Sequence, residues 1–325
     1  MFGGSGGPGT AMSELRLDGK VAIVTGGAVG IGHGISMKLA QRGAKVVVNG
    51  NHRPSGEGPE VEVAAEIRRL GGEAVAVNGS VTDDDATGRI VAKAIETWGR
   101  LDILVNNAGF SDGPNLPCGP DESFDAQIAV HVHGAMKMFR DAWPHLVAAG
   151  AGRVLNVGSM TFVGYEGPRG WNSGYATAKA AVTGLTRQMA GVARPHGVKV
   201  NLLLPRAITP LKMRRIAGTE LLKWQEKHLA MEPLAASVVW LVHEDFPETG
   251  QYFSSAGGRI ARVVVATPDG YFNPDLTPED VRDNWDQVMG RQDAAGYVER
   301  MLELTDQDDE HQLLIRLYDG LNRPA

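Results

Sequence analysis

The chain has 325 residues, 43% hydrophobic and 22% charged, with a net charge of -6 and a pI of about 5.9. That is the composition of a globular protein with a sizeable core, and it argues against nucleic acid or an anionic membrane surface as the main partner. Cys118 is the only cysteine, which excludes an intrachain disulfide and a cysteine-based metal site, and no apolar run approaches the roughly 18 residues of a membrane helix. Residues 1–12 read as a flexible Gly-rich leader without the basic and apolar regions of a signal peptide, with Met12 as an alternative start. The last residues, Asn322 to Ala325, are not a peroxisomal address, so a cytoplasmic location is expected.

Val21-Ala22-Ile23-Val24 is a continuous apolar run, the pattern of a strand buried on both faces. It leads into Thr25-Gly26-Gly27-Ala28-Val29-Gly30-Ile31-Gly32, and Ile35 to Ala40 then reads as a helix closed by Gly43. A strand, a glycine-rich turn and a helix in that order open a dinucleotide-binding unit. The glycines let backbone approach a pyrophosphate, which sits on the helix N-terminus. The alternative is a glycine-rich turn that merely packs tightly. Lys45 to Asn49 is the second buried strand. Folds of this kind that prefer NAD place an acid near its end, against the ribose hydroxyls. Here that position is Gly50, followed by Asn51, His52 and Arg53. Arg53 or His52 is a candidate for a 2′-phosphate, with a solvated loop charge as the equal alternative.

A Pro/Gly-rich loop at 54–60 precedes a helix over about 61–70, stopped by Gly71-Gly72. Residues 74–77 form a third strand, and Asp83-Asp84-Asp85 reads as the cap of a helix ending at Gly99. The fourth strand, 103–105, ends in Asn106-Asn107-Ala108-Gly109, where open α/β sheets bind ligands. A long apolar helix over roughly 124–149 carries His131, His133 and Trp143. The fifth strand, 153–157, delivers Gly158-Ser159, and a loop leads to Tyr175 and a helix through Lys179 to about 193. The sixth strand, 198–204, ends at Pro205. Six alternations without an internal repeat predict an α/β doubly wound parallel sheet, a Rossmann fold, over 13–210.

Residues 211–325 are expected as a C-terminal extension packed on the same domain. Within it, 211–232, with Leu221, Leu222 and Trp224, reads as a mobile substrate lid, and 259–266 as a further strand before a turn at Pro268-Asp269-Gly270. Thr277 is an expected N-cap with Pro278 at the first helical position. The amphipathic stretch Tyr297 to Leu321 is expected to pack on its own domain or on a partner subunit, with an acyl-CoA contact as the sharper alternative.

Tyr175 and Lys179 stand one helical turn apart. An ammonium there favours the phenolate, lowering the phenol's pKa so that it gives and takes a proton near neutral pH. Alone, a packed ring beside a solvated lysine has the same spacing. With the turn at 25–32, Asn106 to Gly109, Ser159, Tyr175 and Lys179 in this order over roughly 15–210, the chain resembles the short-chain dehydrogenase/reductase family. Ala129-Val130-His131-Val132-His133-Gly134 is similar to a branch with histidine where most of the family carries asparagine, at position 131 here. That branch comprises the dehydrogenase domains of peroxisomal multifunctional enzymes, acting on 3-hydroxyacyl-CoA and some hydroxysteroids, and free-standing bacterial homologues. Trp240 to Glu244, Thr249-Gly250, Ala256-Gly257-Gly258 and Thr277 to Trp285 extend the resemblance.

The resemblance implies hydride transfer between a nicotinamide and a secondary alcohol or ketone. Tyr175 is the implied general acid/base, and Lys179 lowers its pKa and bonds the cofactor ribose. Ser159 donates to the substrate oxygen. His131 either anchors a water that relays protons to Lys179 or simply holds its helix. Implied cofactor contacts are Gly26, Gly30, Ile31, Gly32, Asn49, Arg53, Ser80, Val81, Asn107, Ala108, Gly109, Tyr175, Lys179, Pro205, Ile208 and Thr209. No metal is expected, and a homodimer or homotetramer is.

Four departures matter. Gly50 replaces the acid, and Gly79 stands where an acid often meets adenine. Arg206 follows Pro205 where glycine or asparagine is usual, and Tyr175 follows Ser159 by 16 positions, with Tyr165, Pro168, Arg169 and Trp171 in the lengthened loop. NAD and NADP both stay open as the cofactor. The substrate expected is a 3-hydroxyacyl-CoA or hydroxysteroid; a ketoreductase for another bulky carbonyl is one alternative. A non-catalytic cofactor-binding protein is the other, and the complete Ser159, Tyr175 and Lys179 set argues against it.

Overall fold

The computed structural model describes residues 14–51, 58–111, 120–164, 173–209, 218–290 and 302–303. Strands β1 Val21–Val24, β2 Lys45–Gly50, β3 Glu73–Asn78, β4 Ile103–Asn106, β5 Arg153–Val157, β6 Lys199–Arg206 and β7 Tyr252–Ala256 pair in parallel, and β8 Arg259–Val263 completes the sheet. Their order is β3-β2-β1-β4-β5-β6-β7-β8. Chain order therefore reverses direction across the sheet between β1 and β4, and ligands of such sheets bind outside the strand C-termini at that reversal.

The helices in chain order are α1 Gly30–Gln41, α2 Pro59–Arg69, α3 Asp84–Trp98, α4 Asp121–Ile128, α5 Gly134–Ala148, α6 Ser173–Ala193, α7 Glu220–His228 and α8 Met231–Leu241. Side chains alternate across a strand. In β1, Ala22 and Val24 therefore enter one core, with Ile35 and Leu39 of α1, Ile67 of α2 and Val238 of α8. Val21 and Ile23 enter the other, with Ile90 of α3, Met138 of α5 and Met189 of α6. Burial on both faces is why β1 reads as an unbroken apolar run.

The helix ends have local causes. The Asp83 carboxylate accepts from Asp85 N at 3.0 Å, and Gly99 ends α3 in the left-handed region with φ 74°. The continuous helix expected over 124–149 is instead α4, a π-helical turn at Ala129–His133, and α5. One extra residue in the turn leaves the apolar pattern intact but rotates α5 relative to α4, and such turns favour functional sites.

Strand β7 is absent from the sequence reading; its pairing with β6 in parallel makes it a strand. The two-residue Gly257-Gly258 link then turns into β8, which ends at Val263 rather than 266. The chain divides into two compact units, residues 1–262 and 263–325. The first thus runs well past the 210 expected for the catalytic domain, because β7 extends its sheet and α8 packs on α1. The second contains β9 Ala266–Thr267 paired antiparallel with β10 Leu302–Glu303, and helices α9 Pro278–Asp283 and α10 Trp285–Val288. Thr277 and Asp280 form a reciprocal capping box at α9, with Pro278 at the first position as expected.

Outside the described residues lie the leader, His52 and Arg53, Cys118, the loop with Tyr165, Pro168, Arg169 and Trp171, the 211–217 part of the lid, and Tyr297 to Leu321 apart from residues 302–303. Among the described residues no helix is long and apolar enough to cross a membrane.

Candidate active site

The parallel strands bring the ends of β1, β4 and β5 to one edge, with Val24 beside Val105 and Asn106 beside Asn156. Thr25 locks that edge together. Its buried hydroxyl accepts from Asn107 N and Ala108 N, both at 3.0 Å, and donates to the Val105 carbonyl at 3.3 Å. Asn107 Nδ2 returns the tie to the carbonyls of Thr25 at 2.9 Å and Gly26 at 3.0 Å. Gly26 and Gly30 hold positive φ, 60° and 55°, conformations that fold the turn over the start of α1. A Cβ on Gly32 would collide with the Gly26 carbonyl. These glycines are required by close packing as much as by any ligand.

Beside the turn opens a cavity of about 260 Å³ lined by Gly26, Asn49, Ser80, Val81, Ala108 and Gly109 among others. Six of the expected cofactor residues are thereby brought together. Asn49 shapes the wall: its Nδ2 serves the carbonyls of Gly50, Val77 and Gly79 at 3.0–3.2 Å, and its Oδ1 accepts from Gly26 N at 3.3 Å. Gly30 approaches Thr209, within 3.5 Å of a built Cβ. The Ile208 N–H donates to the Leu229 carbonyl at 2.9 Å, Pro205 sits in β6 opposite Ser255, and Ile31 packs against the core. Glycines free of side chains, a helix N-terminus and a cavity at the strand ends together fit a dinucleotide.

The groups expected to handle protons converge next to this cavity. Ser159 follows β5 in extended backbone, and its Oγ accepts from Thr161 N at 3.2 Å and Thr161 Oγ1 at 2.9 Å. With both lone pairs engaged, the Ser159 proton is left to donate. It is hydrogen-bonded to Tyr175, which pulls the phenol pKa down against a larger upward push from burial, so the net shift is up. Lys179 is 4% exposed, and its Nζ donates to the Val157 carbonyl at 2.6 Å. Burial lowers its pKa to about 7. The ammonium lies 5.5 Å from the Tyr175 ring centroid. The expectation that Lys179 depresses the tyrosine is therefore not met here: desolvation dominates both groups, holding the phenol protonated and the lysine near its titration point.

His131 stands on the π turn with its ring edge-on to Tyr175, centroids 5.3 Å apart. Its ring fills the place a Gly109 side chain would take, with Nδ1 2.6 Å from a built Cβ. The Phe110 carbonyl, 2.9 Å from Nε2, fixes the proton on that nitrogen and leaves Nδ1 as an acceptor. Burial first, and the Lys179 charge second, push His131 down to about 3, so the imidazole is neutral. Between His131, Lys179, Asn106 and Asn156 lies a cavity of about 10 Å³, close to the space of one water. His131 Nδ1 and Asn106 Oδ1 are buried acceptors with no partner among the described residues. Asn106 Nδ2 donates to Asn156 Oδ1 at 2.9 Å, and Asn156 to Thr186 Oγ1 at 3.0 Å. Sequence reasoning does not single out Thr161 or Asn156, and it includes Thr25 and Asn106 within motifs without giving either a role. Their only signal is position, at or just after the end of a buried strand.

The family model described as short chain dehydrogenase matches residues 20–219. The chain belongs to the short-chain dehydrogenase family. It is an oxidoreductase of a family that uses NAD(H) or NADP(H). This dehydrogenase is 34% identical over 292 residues to peroxisomal multifunctional enzyme type 2 of Mus musculus, covering 87% of this chain and 38% of that protein. A solved short chain dehydrogenase from Mycobacterium avium superposes with a TM-score of 0.69 at 33% identity, covering 83% of this chain and 96% of that one. Full-length peroxisomal multifunctional enzyme type 2 from Drosophila melanogaster superposes at 0.75 with 28% identity, covering 94% of this chain and 51% of that one. The chain thus spans well under two thirds of either multifunctional enzyme.

Proposed function

We propose that this dehydrogenase interconverts a secondary alcohol and a ketone on a 3-hydroxyacyl-CoA or hydroxysteroid-like substrate. The observation that carries the chemistry is the Ser159–Tyr175 hydrogen bond beside the buried Lys179, next to the cavity of the glycine turn. The similarity to the multifunctional enzymes supports the substrate class. Gly26, Gly30, Ser80, Val81, Ala108 and Gly109 would hold the nicotinamide coenzyme, which supplies or accepts a hydride when bound.

In the reductive direction Tyr175 passes its phenolic proton to the carbonyl oxygen, while Ser159, its acceptor sites filled by Thr161, donates to the same oxygen and stabilises charge developing there. In the oxidative direction the phenolic oxygen takes the alcohol proton. Lys179, titrating at about 7, exchanges a proton near neutral pH at little cost. Neutral His131, with Nδ1 as an acceptor at the water-sized cavity, supports the relay reading of its role. The homo-oligomeric state and cytoplasmic location expected from the sequence belong to the same reading; light scattering and cell fractionation test them.

Tyr175→Phe tests the mechanism. It removes the transferable proton and keeps the ring against His131, so coenzyme binding persists while turnover falls by about three orders of magnitude. Unchanged turnover of 3-hydroxyacyl-CoA esters and hydroxysteroids by this variant sinks the assignment. Turnover of neither class by the unaltered protein overturns the substrate class.

A further inference from the structure

Strand β5 delivers Ser159 in extended backbone, φ -162° and ψ 150°, and the chain passes at once into the 3₁₀ turn Met160–Val163. That reversal folds the residue two positions on back over the serine, a local turn that serine side chains favour. Ser159 Oγ therefore faces two donors from one residue, Thr161 N at 3.2 Å and Thr161 Oγ1 at 2.9 Å. The turn holds Thr161 in place: Phe162 N donates to the Ser159 carbonyl at 3.1 Å and Gly164 N to the Thr161 carbonyl at 2.9 Å. Branching at Cβ stiffens the threonine side chain and keeps Oγ1 where the turn puts it. Two hydroxyls in contact leave open which of them donates, and the Ser159–Tyr175 bond decides it. That bond pulls the phenol pKa down, so it favours the phenolate, and Ser159 is its donor. A serine hydroxyl has one proton and two acceptor sites. With the proton given to Tyr175, the contact with Thr161 Oγ1 is donated by the threonine.

We propose that Thr161 is a positioning residue of this dehydrogenase: its hydroxyl and backbone N–H fill both acceptor sites of Ser159, so Ser159 meets the reacting oxygen only as a donor. The inference rests on the oxidoreductase reading above. Thr161 acts through Ser159 and need not touch the substrate. Its effect is directional. A serine with an empty acceptor site can take a hydrogen bond from the substrate alcohol, which stabilises the alcohol and does nothing for charge on its oxygen. With both sites filled, that ground-state bond is closed off, and the alcohol proton cannot pass to Ser159. The serine proton is left for the oxygen on which charge develops, where donation stabilises the transition state more than the ground state. A bond donated to Ser159 Oγ also polarises its O–H and strengthens the bond the serine gives in turn.

The test compares Thr161→Val, which keeps the shape and removes the hydroxyl, with Thr161→Ser, which keeps the hydroxyl. Oxidation of 3-hydroxydecanoyl-CoA and of testosterone is followed in the full chain with NAD+ and with NADP+. Thr161→Val is expected to lower turnover by about five- to tenfold, the worth of one hydrogen bond, with coenzyme affinity unchanged. Thr161→Ser is expected to stay within about twofold of the unaltered protein, a rescue that a packing role does not give. A second readout needs no substrate. In protein labelled with carbon-13 at tyrosine Cζ, the Tyr175 resonance is assigned by its loss in Tyr175→Phe. It is expected to move in Thr161→Val and to stay in Thr161→Ser, because the bond that Ser159 gives the phenol weakens only in the first. Unchanged turnover in Thr161→Val, a resonance that does not move, or a loss shared by Thr161→Ser overturns the inference. Turnover of neither probe by the unaltered protein overturns the substrate class proposed above and leaves the resonance to decide the role of Thr161, which separates the two failures.

Discussion

Two buried cations mark the two ends of β5, and they have opposite fates. Arg153 opens the strand and Lys179 bonds the carbonyl of Val157 at its close; each is 4% exposed. Four carbonyls hold Arg153: Nε donates to that of His243 at 3.0 Å, Nη1 to those of Ala151 and Gly152 at 3.0 Å, and Nη2 to that of Glu244 at 2.5 Å. A guanidinium keeps its proton throughout the range in which proteins fold, so this end is a fixed clamp. Among the described residues Lys179 has a single carbonyl, that of Val157, to set against its desolvation, and burial brings it to about 7. Its neighbours include the buried acceptors of His131 and Asn106, which have no partner among the described residues. One end of the strand holds its cation with four carbonyls, and the other holds a cation near its titration point.

The comparison breaks most visibly in Lys179→Met. Turnover is expected to fall by about two to four orders of magnitude. The coenzyme-free protein is expected to melt at least about 2 °C higher at pH 7, because the buried charge is gone. A lower melting temperature would show that the lysine is a structural bond like Arg153. Arg153→Met reverses the pattern: four carbonyls lose their donor, costing about 2–4 kcal/mol in denaturant unfolding, with turnover per folded molecule unchanged.

The pH dependence sharpens the contrast. A lysine whose folded pKa lies below its unfolded value destabilises the fold fully at and below pH 7 or so. From there to its ordinary value near 10.5, the unfolded chain binds more protons and stability rises with pH. The melting advantage of Lys179→Met is thus expected to be largest at and below neutral pH and to shrink toward pH 10. A flat difference across that range contradicts the burial argument. The smallest effect is expected far from both ends: Asp83→Ala removes the cap of α3, costing about 1 kcal/mol by thermal melting without changing turnover.

Much of the fold is legible in the sequence because its signals are local. Short apolar stretches mark β1 to β6. Gly43 and Gly99 mark helix ends, and Thr277-Pro278 announces α9. Other features carry no local signal. The π turn adds one residue without disturbing the apolar pattern, so 129–133 reads as ordinary helix. Tyr252–Ala256 holds two serines and becomes a strand only beside β6. The Glu60 carboxylate lies against Gly50 although ten residues of chain separate the two.

By itself, the sequence determined the order of β1 to β6 with the helices between them and the glycine-rich turn, and its resemblance to a family pointed to Ser159, Tyr175 and Lys179. The strands, helices and turn follow from spacing within a few residues, which steric and hydrogen-bonding rules convert directly into local structure. The tertiary structure alone decided that burial raises the tyrosine and lowers the lysine, that His131 is neutral and rests on Gly109, and where the Glu60 carboxylate lies. Those outcomes depend on desolvation and on close approach between segments far apart in the chain, quantities that exist only once the two cores have closed over the sheet.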